Sequence, residues 1–389
     1  MQYSFKKVNI IAPFATTQCG HSCQTFLVDE AHDPCFARIT AFKDENIWII
    51  HYSLDVLAFD QAHRHEIQKR LRKHFNNDNI HVITSATHTH YANSVRDEKY
   101  PTYLTDLLVD ETMSMKYKDV NNVTTTYQRF HTNAVGKSRI SGYETNNEML
   151  CLVRFYSDEN NFLNIVYNNC HPTILSAEET HFFSAEYPGY VLAKLESLYP
   201  NIDFTFLQGA AGDISSRFVR DGQDYAALAK LGDNLVKEIV DLIDKEVVKV
   251  PFKMEYNEVN IKYEHDFAPI DLSNIRSDLS ERELHTIKLG QEQRQKLQEK
   301  ASKIFGALVR DADVASLDIG SVKIIFFPNE IFSEYMNEID LDKKMLVSYS
   351  NGYGPYVLPT DFKYITYEMF TDTTTNDTKE LIAKTIREI

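Results

Sequence analysis

The chain of 389 residues has only five cysteines, 13 glycines and one tryptophan. Cys19, Cys23, Cys35, Cys151 and Cys170 are odd in number and sparse for the length, which excludes a disulfide-stapled scaffold and suits a reducing compartment. Cys19-x3-Cys23 could form half of a metal knuckle, but no second Cys or His pair at ligand spacing follows it, so structural roles are expected. No apolar run reaches the roughly 18 residues of a membrane span, so no transmembrane segment is expected. The opening stretch has a short apolar piece, Val8 to Ala15, and no small-residue cleavage site, and a cytoplasmic location is expected. Positive charge is scarce as well. With 41 Lys+Arg against 56 Asp+Glu the net charge is −15, and no basic stripe offsets it, which argues against nucleic acid or an anionic membrane as partner.

What remains is an ordinary globular composition, 43% hydrophobic and 25% charged. Low-complexity linkers and repeats are missing, so residues 1–389 are expected to form a single domain. Ile47 to Tyr52, Ile80 to Ala86, Met149 to Tyr156, Leu163 to Tyr167, Asp203 to Leu207, Val322 to Phe327 and Met345 to Tyr349 have the apolar, β-branched character of strands. Helical spacing appears at Ile67, Leu71 and Phe75, at Val191, Leu192, Leu195 and Leu198 behind Pro188, and at Leu228, Leu231, Leu235, Ile239 and Leu242. Ser280 and Glu283 make a capping box at the head of a mostly polar helix, Ser280 to Phe305, read as a solvated insertion around 275–310. A last helix is expected from about Thr378. Strands alternating with helices predict an α/β (α+β) fold, a central mixed β-sheet flanked by helices.

Four places bear chemistry. Thr87-His88-Thr89-His90 follows an apolar strand. If the chain stays extended, His88 and His90 point to the same side at the strand's exposed end, and a metal could take one or both. Asn168-Asn169-Cys170-His171-Pro172 leaves a second strand, and Pro172 stiffens the turn carrying His171. Glu330, in Pro328-Asn329-Glu330, stands past a third strand, where an acid commonly complements the N-terminus of a following helix. Asn351 to Tyr356 is a turn-rich segment whose aromatics are ordinarily packing residues. Gly209 to Asp213 is glycine-rich but lacks the Gly-Lys-Ser/Thr ending of a phosphate loop.

With His32 to Arg38, Ser184-Ala185-Glu186-Tyr187-Pro188-Gly189, Gly212-Asp213 and Tyr353 to Tyr367, these segments resemble, in order and over most of the chain, the neutral ceramidases, metal-dependent amidases that cleave the N-acyl bond of sphingolipids. The resemblance implies one zinc per chain on His88, His171, Glu330 and Tyr356, with His90, Arg139 and Tyr367 lining the pocket as catalytic residues. Two imidazoles and a carboxylate suit catalytic zinc with a position left for water, which as zinc-held hydroxide attacks the amide carbonyl. Asp213 is expected to orient a ligand histidine, while Asp33, Asp55 and Glu186 fall within matching stretches with structural roles equally open.

The sequence departs from the family where Tyr91-Ala92-Asn93-Ser94 follows the histidine pair and where Asn329 replaces a glycine before the acid. No immunoglobulin-like C-terminal domain is read from it. The expected substrate is therefore a small N-acylated molecule, ceramide-like or a more soluble N-acyl amine, amino sugar or amino acid. A metal-dependent esterase or phosphoesterase and a non-catalytic binding protein on the same scaffold are the alternatives.

Overall fold

The computed structural model describes residues 1–21, 24–97, 99–145, 147–273, 275–299 and 311–389. Cys23 and the stretch 300–310, which includes the expected tail of the polar helix, lie outside the described residues. The mixed strand-and-helix class holds, with the strands divided among several sheets. In the first, the order is Ile80–Ala86, Trp48–Leu54, Phe36–Lys43, Gln2–Asn9 and Lys118–Asp119. Its one parallel pair, Trp48–Leu54 with Ile80–Ala86, is joined by the helix Gln61–Phe75, as a parallel crossover requires. A second sheet repeats the plan: Asp203–Gln208, Asn160–Asn168, Met149–Ser157, Thr124–His131 and Val250–Pro251, with the parallel pair Asn160–Asn168 and Asp203–Gln208 bridged by the helix Glu186–Leu198. The third sheet runs Glu255–Lys262, Asp311–Asp318, Lys323–Phe326 and Lys344–Val347.

The helices obey their sequence signals. Asp60 caps Gln61–Phe75, accepting from Ala62 N at 2.7 Å, and Asn76 ends it in the left-handed region at φ 49°. Ile67 and Leu71 are buried against the first sheet. Asp224 caps Tyr225–Ile243, whose buried stripe includes Leu228, Leu231, Leu235, Ile239 and Leu242. Leu198, expected on the stripe of Glu186–Leu198, is 57% exposed, because that helix ends there and turns away. The capping box is present: Ser280 N donates to Glu283 Oε2 at 2.8 Å, and Glu283 N returns the bond to Ser280 Oγ at 3.3 Å. The helix it opens, Glu281–Glu299, is not purely solvated. Ile287, Gly290 and Arg294 are buried, and its inner face walls the cavity described below.

A core of Phe42, Phe155, Leu207, Ile324, Ile325 and Leu346 ties the three sheets together. At one end their strands are stitched by backbone bonds: Ala86 N to Tyr349 O at 3.0 Å, Asn351 N to Thr84 O at 2.8 Å and Ser348 N to Gln208 O at 2.9 Å. The loops that leave the C-terminal ends of three different sheets therefore meet at one point, where open α/β sheets commonly place ligands.

Candidate metal centre

His88 lies two residues past the strand Ile80–Ala86, but the chain does not stay extended there. His88 has φ 65°, its N–H donates to Val56 O at 3.0 Å, and its ring is stacked on Tyr349 with centroids 3.8 Å apart. The expectation of two imidazoles on one face of an exposed strand end is thus corrected. His88 and His90 are 1% and 7% exposed, and the left-handed turn, not strand alternation, aims them together. His171 is anchored by its N–H to Ile214 O at 3.0 Å, in a bridge to Ser215, just before Pro172. Glu330 does not head a helix. It sits in a short strand, Asn329–Ile331, paired in parallel with Gly354–Val357 so that Glu330 lies opposite Tyr356. The helical turn begins later, at Ser333.

Three imidazoles and one carboxylate converge. His88 Nε2 is 3.1 Å from His171 Nε2 and 3.4 Å from His90 Nε2, while Glu330 Oε2 lies 3.5 Å from the first and 3.6 Å from the second. His88 Nδ1 donates to Leu57 O at 2.7 Å and His171 Nδ1 to Ala211 O at 2.9 Å. A carbonyl only accepts, so both Nδ1 atoms carry hydrogen, and each ring turns its Nε2 towards the other. Two such nitrogens and a carboxylate oxygen in this proximity call for positive charge between them, a proton or a metal ion. Glu330 Oε2 is buried without any hydrogen-bond partner, an orphaned acceptor of the kind a metal satisfies. Zinc bonds of about 2.05 Å in tetrahedral array put donors about 3.3 Å apart, close to the observed spacings. The donors present fit a zinc-sized ion.

Burial pushes the Glu330 carboxyl up, but the neighbouring His88 and His171 and the Tyr353 hydroxyl outweigh it and hold it at about 2, so it is a carboxylate at neutral pH. Burial depresses His90 and His171 well below the usual imidazole range, helped by His21 and His88 for His90 and by Arg139 and His88 for His171. Neutral rings are the form that ligates metal.

Around this cluster Arg139 Nη2 donates to Tyr356 Oη at 3.0 Å and to Gly212 O at 2.7 Å, and pairs with Glu368 Oε1 at 2.7 Å. Tyr367 presents its ring edge-on to Tyr356, centroids 6.4 Å apart, and burial pushes its hydroxyl up to about 12. His90, Arg139, His171, Tyr356 and Tyr367 line a cavity of about 610 Å³, with His88 and Glu330 behind them. All seven site residues picked out from the sequence are thereby gathered in one place. Tyr356, expected among the ligands, has its hydroxyl engaged by Arg139. The acid hydroxyl contact comes from Tyr353, whose hydroxyl donates to Glu330 Oε1 at 2.5 Å.

Asp213 does not orient a histidine. Its carboxylate accepts from Ser333 N at 2.6 Å and Ser333 Oγ at 2.8 Å, and the carbonyl of Ala211 holds His171 instead. Glu186 caps backbone, taking Leu175 N at 2.9 Å and Tyr187 N at 2.8 Å, which fixes the loop after His171. Asp33 accepts from Ser184 and Ala185, and Asp55 pairs with the buried Arg38 at 3.1 Å. Residues missed by sequence reading are Tyr353, Tyr349 and His21, whose Nε2 is 3.1 Å from His90 Nδ1. The one local hint for His21 is its neighbour Gly20, where any Cβ would lie 2.4 Å from the His90 ring.

No family model matches the chain, and no curated protein does. Among solved structures it is similar to neutral ceramidase from Pseudomonas aeruginosa, with a TM-score of 0.76 and 12% identity over 100% of this chain and 73% of that one. A structure described as ceramidase complexed with C2 gives the same TM-score, 0.76, and the same identity, 12%, over 100% of this chain and 74% of that one. The chain has the neutral ceramidase fold. Among the described residues, no helix is long and apolar enough to cross a membrane.

Proposed function

We propose that the protein is a zinc-dependent hydrolase that cleaves an N-acyl amide bond. The observation that carries the reading is the mutual aim of the His88 and His171 Nε2 atoms, 3.1 Å apart, at an orphaned Glu330 oxygen on the fold of neutral ceramidase. In this reading His88, His171 and Glu330 hold one zinc per chain, and Tyr356, beside Glu330 in register, completes the set.

The ion, when bound, polarises a carbonyl oxygen and lowers the pKa of water towards 7. The chain's own residues do the rest. Leu57 O and Ala211 O lock the two imidazoles in the tautomer that leaves Nε2 free. His90, kept neutral by burial, has a lone pair to accept a proton from the nucleophile and return it to the departing nitrogen. Arg139, fixed by Glu368 and Gly212 O, and the Tyr367 hydroxyl are donors for the charge that develops on the carbonyl oxygen. Glu281–Glu299 and the segment around Tyr367 wall the cavity and limit water.

The test is elemental analysis of protein purified without chelator, followed by a panel of N-acyl amides, acyl esters and phosphate esters assayed with and without added zinc. The expected result is about one zinc per chain and amide turnover that chelation abolishes. Faster turnover of acyl or phosphate esters than of every amide makes the protein an esterase or phosphoesterase on the same donors. Metal-free protein that binds N-acyl compounds but turns nothing over makes it a binding protein.

A further inference from the structure

The cavity in front of the metal cluster is lined by more cations than a protein of net charge −15 leads one to expect. Arg139 and Arg276 on its wall are matched, Arg139 by Glu368 at 2.7 Å and Arg276 by Asp278 at 2.7 Å. Arg217, Arg220 and Arg282 are not: among the described residues none of them makes an ion pair. Glu283, the acid that acts most on Arg217, is engaged by its own helix cap, with Ser280 N at 2.8 Å and Ser280 Oγ at 2.5 Å.

The three arginines come from different elements and meet at the site. Arg217 lies in the short helical turn Ser216–Phe218 that follows Ser215, the bridge partner of His171. Arg220 Nη1 is tied to Thr173 O, and to Ile174 O at 3.3 Å, on the loop that leaves His171. Arg282 reaches across from the first turn of Glu281–Glu299. Burial and the nearby charge of Arg282 depress both Arg217 and Arg220, outweighing the more distant Glu283 and Glu368 for Arg217 and Glu186 for Arg220, so like charges are held together without a carboxylate in ion-pair contact. A ligand anion supplies that contact. The same cavity also has an apolar lining, with Leu279, Ile287, Leu289 and Ile365, and suits an acyl chain.

We propose that the cavity takes an N-acyl compound whose amine part carries an anionic group, carboxylate or phosphate, held by Arg217, Arg220 and Arg282, in preference to a neutral N-acyl lipid. The N-acyl half of this inference rests on the amidase reading; the anionic half rests on the arginines.

The test compares three ligands with one lauroyl chain: N-lauroylglycine, O-phospho-N-lauroylethanolamine and neutral N-lauroylethanolamine. Binding is measured by calorimetry on the full chain loaded with zinc, at low and high salt, and hydrolysis is followed separately. At least one anionic ligand is expected to bind about tenfold or more tighter than the neutral one, since a charge-assisted hydrogen bond contributes about that factor. Which of the two binds better identifies the source of the anion. Arg217→Gln and Arg282→Gln are each expected to bring the ratio towards one, and added salt to lower it. Arg282 is exposed, so its variant reads the effect even if a substitution closer to the His171 loop perturbs folding. Equal or tighter binding of the neutral ligand, or a preference that survives the Arg217→Gln/Arg282→Gln double variant, overturns the inference. Anion preference without hydrolysis of any ligand overturns only the amidase reading, and hydrolysis without anion preference overturns only the inference.

Discussion

His88 and His171 aim Nε2 at Nε2 across 3.1 Å while each donates Nδ1–H to a backbone carbonyl, Leu57 O and Ala211 O. Neither neutral ring can put a hydrogen between the two by switching tautomer, because that would set a lone pair against a carbonyl oxygen. Positive charge between the two Nε2 atoms and Glu330, from a proton or a metal ion, therefore stabilises the site. Zinc should accordingly raise the thermal midpoint, with stabilisation of about 2.7 kcal/mol at a hundred times Kd, and chelator should reverse it. In His88→Ala and Glu330→Gln the zinc-induced shift is expected to vanish and affinity to fall by roughly 100-fold or more, with the far-ultraviolet circular dichroism unchanged. A zinc-induced shift of full size in both variants would show that the ion binds elsewhere.

Tyr353 supplies the second prediction. Its hydroxyl donates to Glu330 Oε1 at 2.5 Å, which leaves Oε2 as the carboxylate's free oxygen, directed at the two imidazoles. Tyr353→Phe removes that bond and keeps the ring, so the carboxylate gains rotational freedom. Metal affinity is expected to drop roughly 10- to 100-fold, read by competition with a zinc-binding dye. Tyr356→Phe tests the other phenol: a larger loss of affinity there than in Tyr353→Phe assigns the direct contact to Tyr356.

Local elements were legible because their causes are local. The spacing of Ile67 and Leu71, the stripe of Leu228, Leu231, Leu235, Ile239 and Leu242 and the Ser280–Glu283 box each lie within one helix, and all three are present. Strand sites were legible for the same reason, but which strand pairs with which was not, and the expected central sheet is in fact several. The seven site residues came from ordered motifs resembling a known family, not from spacing. What aims them was hidden, because it is tertiary. The left-handed φ of His88 and the Ala211 carbonyl, 40 residues from His171, leave no mark on the motifs themselves. Arg64 illustrates the same limit: a charged residue in a polar helix is fully buried because its carboxylate partners lie 194 and 249 residues away.

Gly20 has φ 130°, and a Cβ there would lie 2.4 Å from both Cγ and Nδ1 of His90. Gly20→Ala therefore strains the backbone by about 1–2 kcal/mol and drives the His90 ring off its contact with His21, while His88, His171 and Glu330 are untouched. If His90 moves protons and does not hold the ion, kcat should fall about 100-fold, the effect of an ångström-scale misplacement, with zinc content still near one per chain. Loss of zinc together with activity would make His90 a ligand, and unchanged activity would remove it from the chemistry.

Asp313 tests the stability of the scaffold apart from the site. Its Oδ2 lies 2.8 Å from Arg64 Nη2 and 2.6 Å from His65 Nε2, and Oδ1 accepts from Asn260 at 2.9 Å. Burial raises this carboxyl, but the hydrogen bonds from His65 and Asn260 and the charge of Arg64 outweigh it and hold it at about 2, below the ordinary 3.8. A carboxyl whose pKa is depressed on folding contributes stability that is complete above its unfolded pKa and is lost as pH falls through the folded one. The contribution of Asp313 is therefore intact at neutral pH and disappears between about 4 and about 2. Asp313→Asn leaves the Arg64 guanidinium with Glu258 at 2.8 Å as its remaining carboxylate partner, beside the Val82 carbonyl at 2.9 Å. The variant is expected to be less stable by about 3 kcal/mol at pH 7 in urea unfolding. The gap between wild type and variant should narrow as pH is taken from 4 to 2. A gap of constant size across that range would mean that the carboxylate's charge contributes nothing and that the loss comes from packing alone.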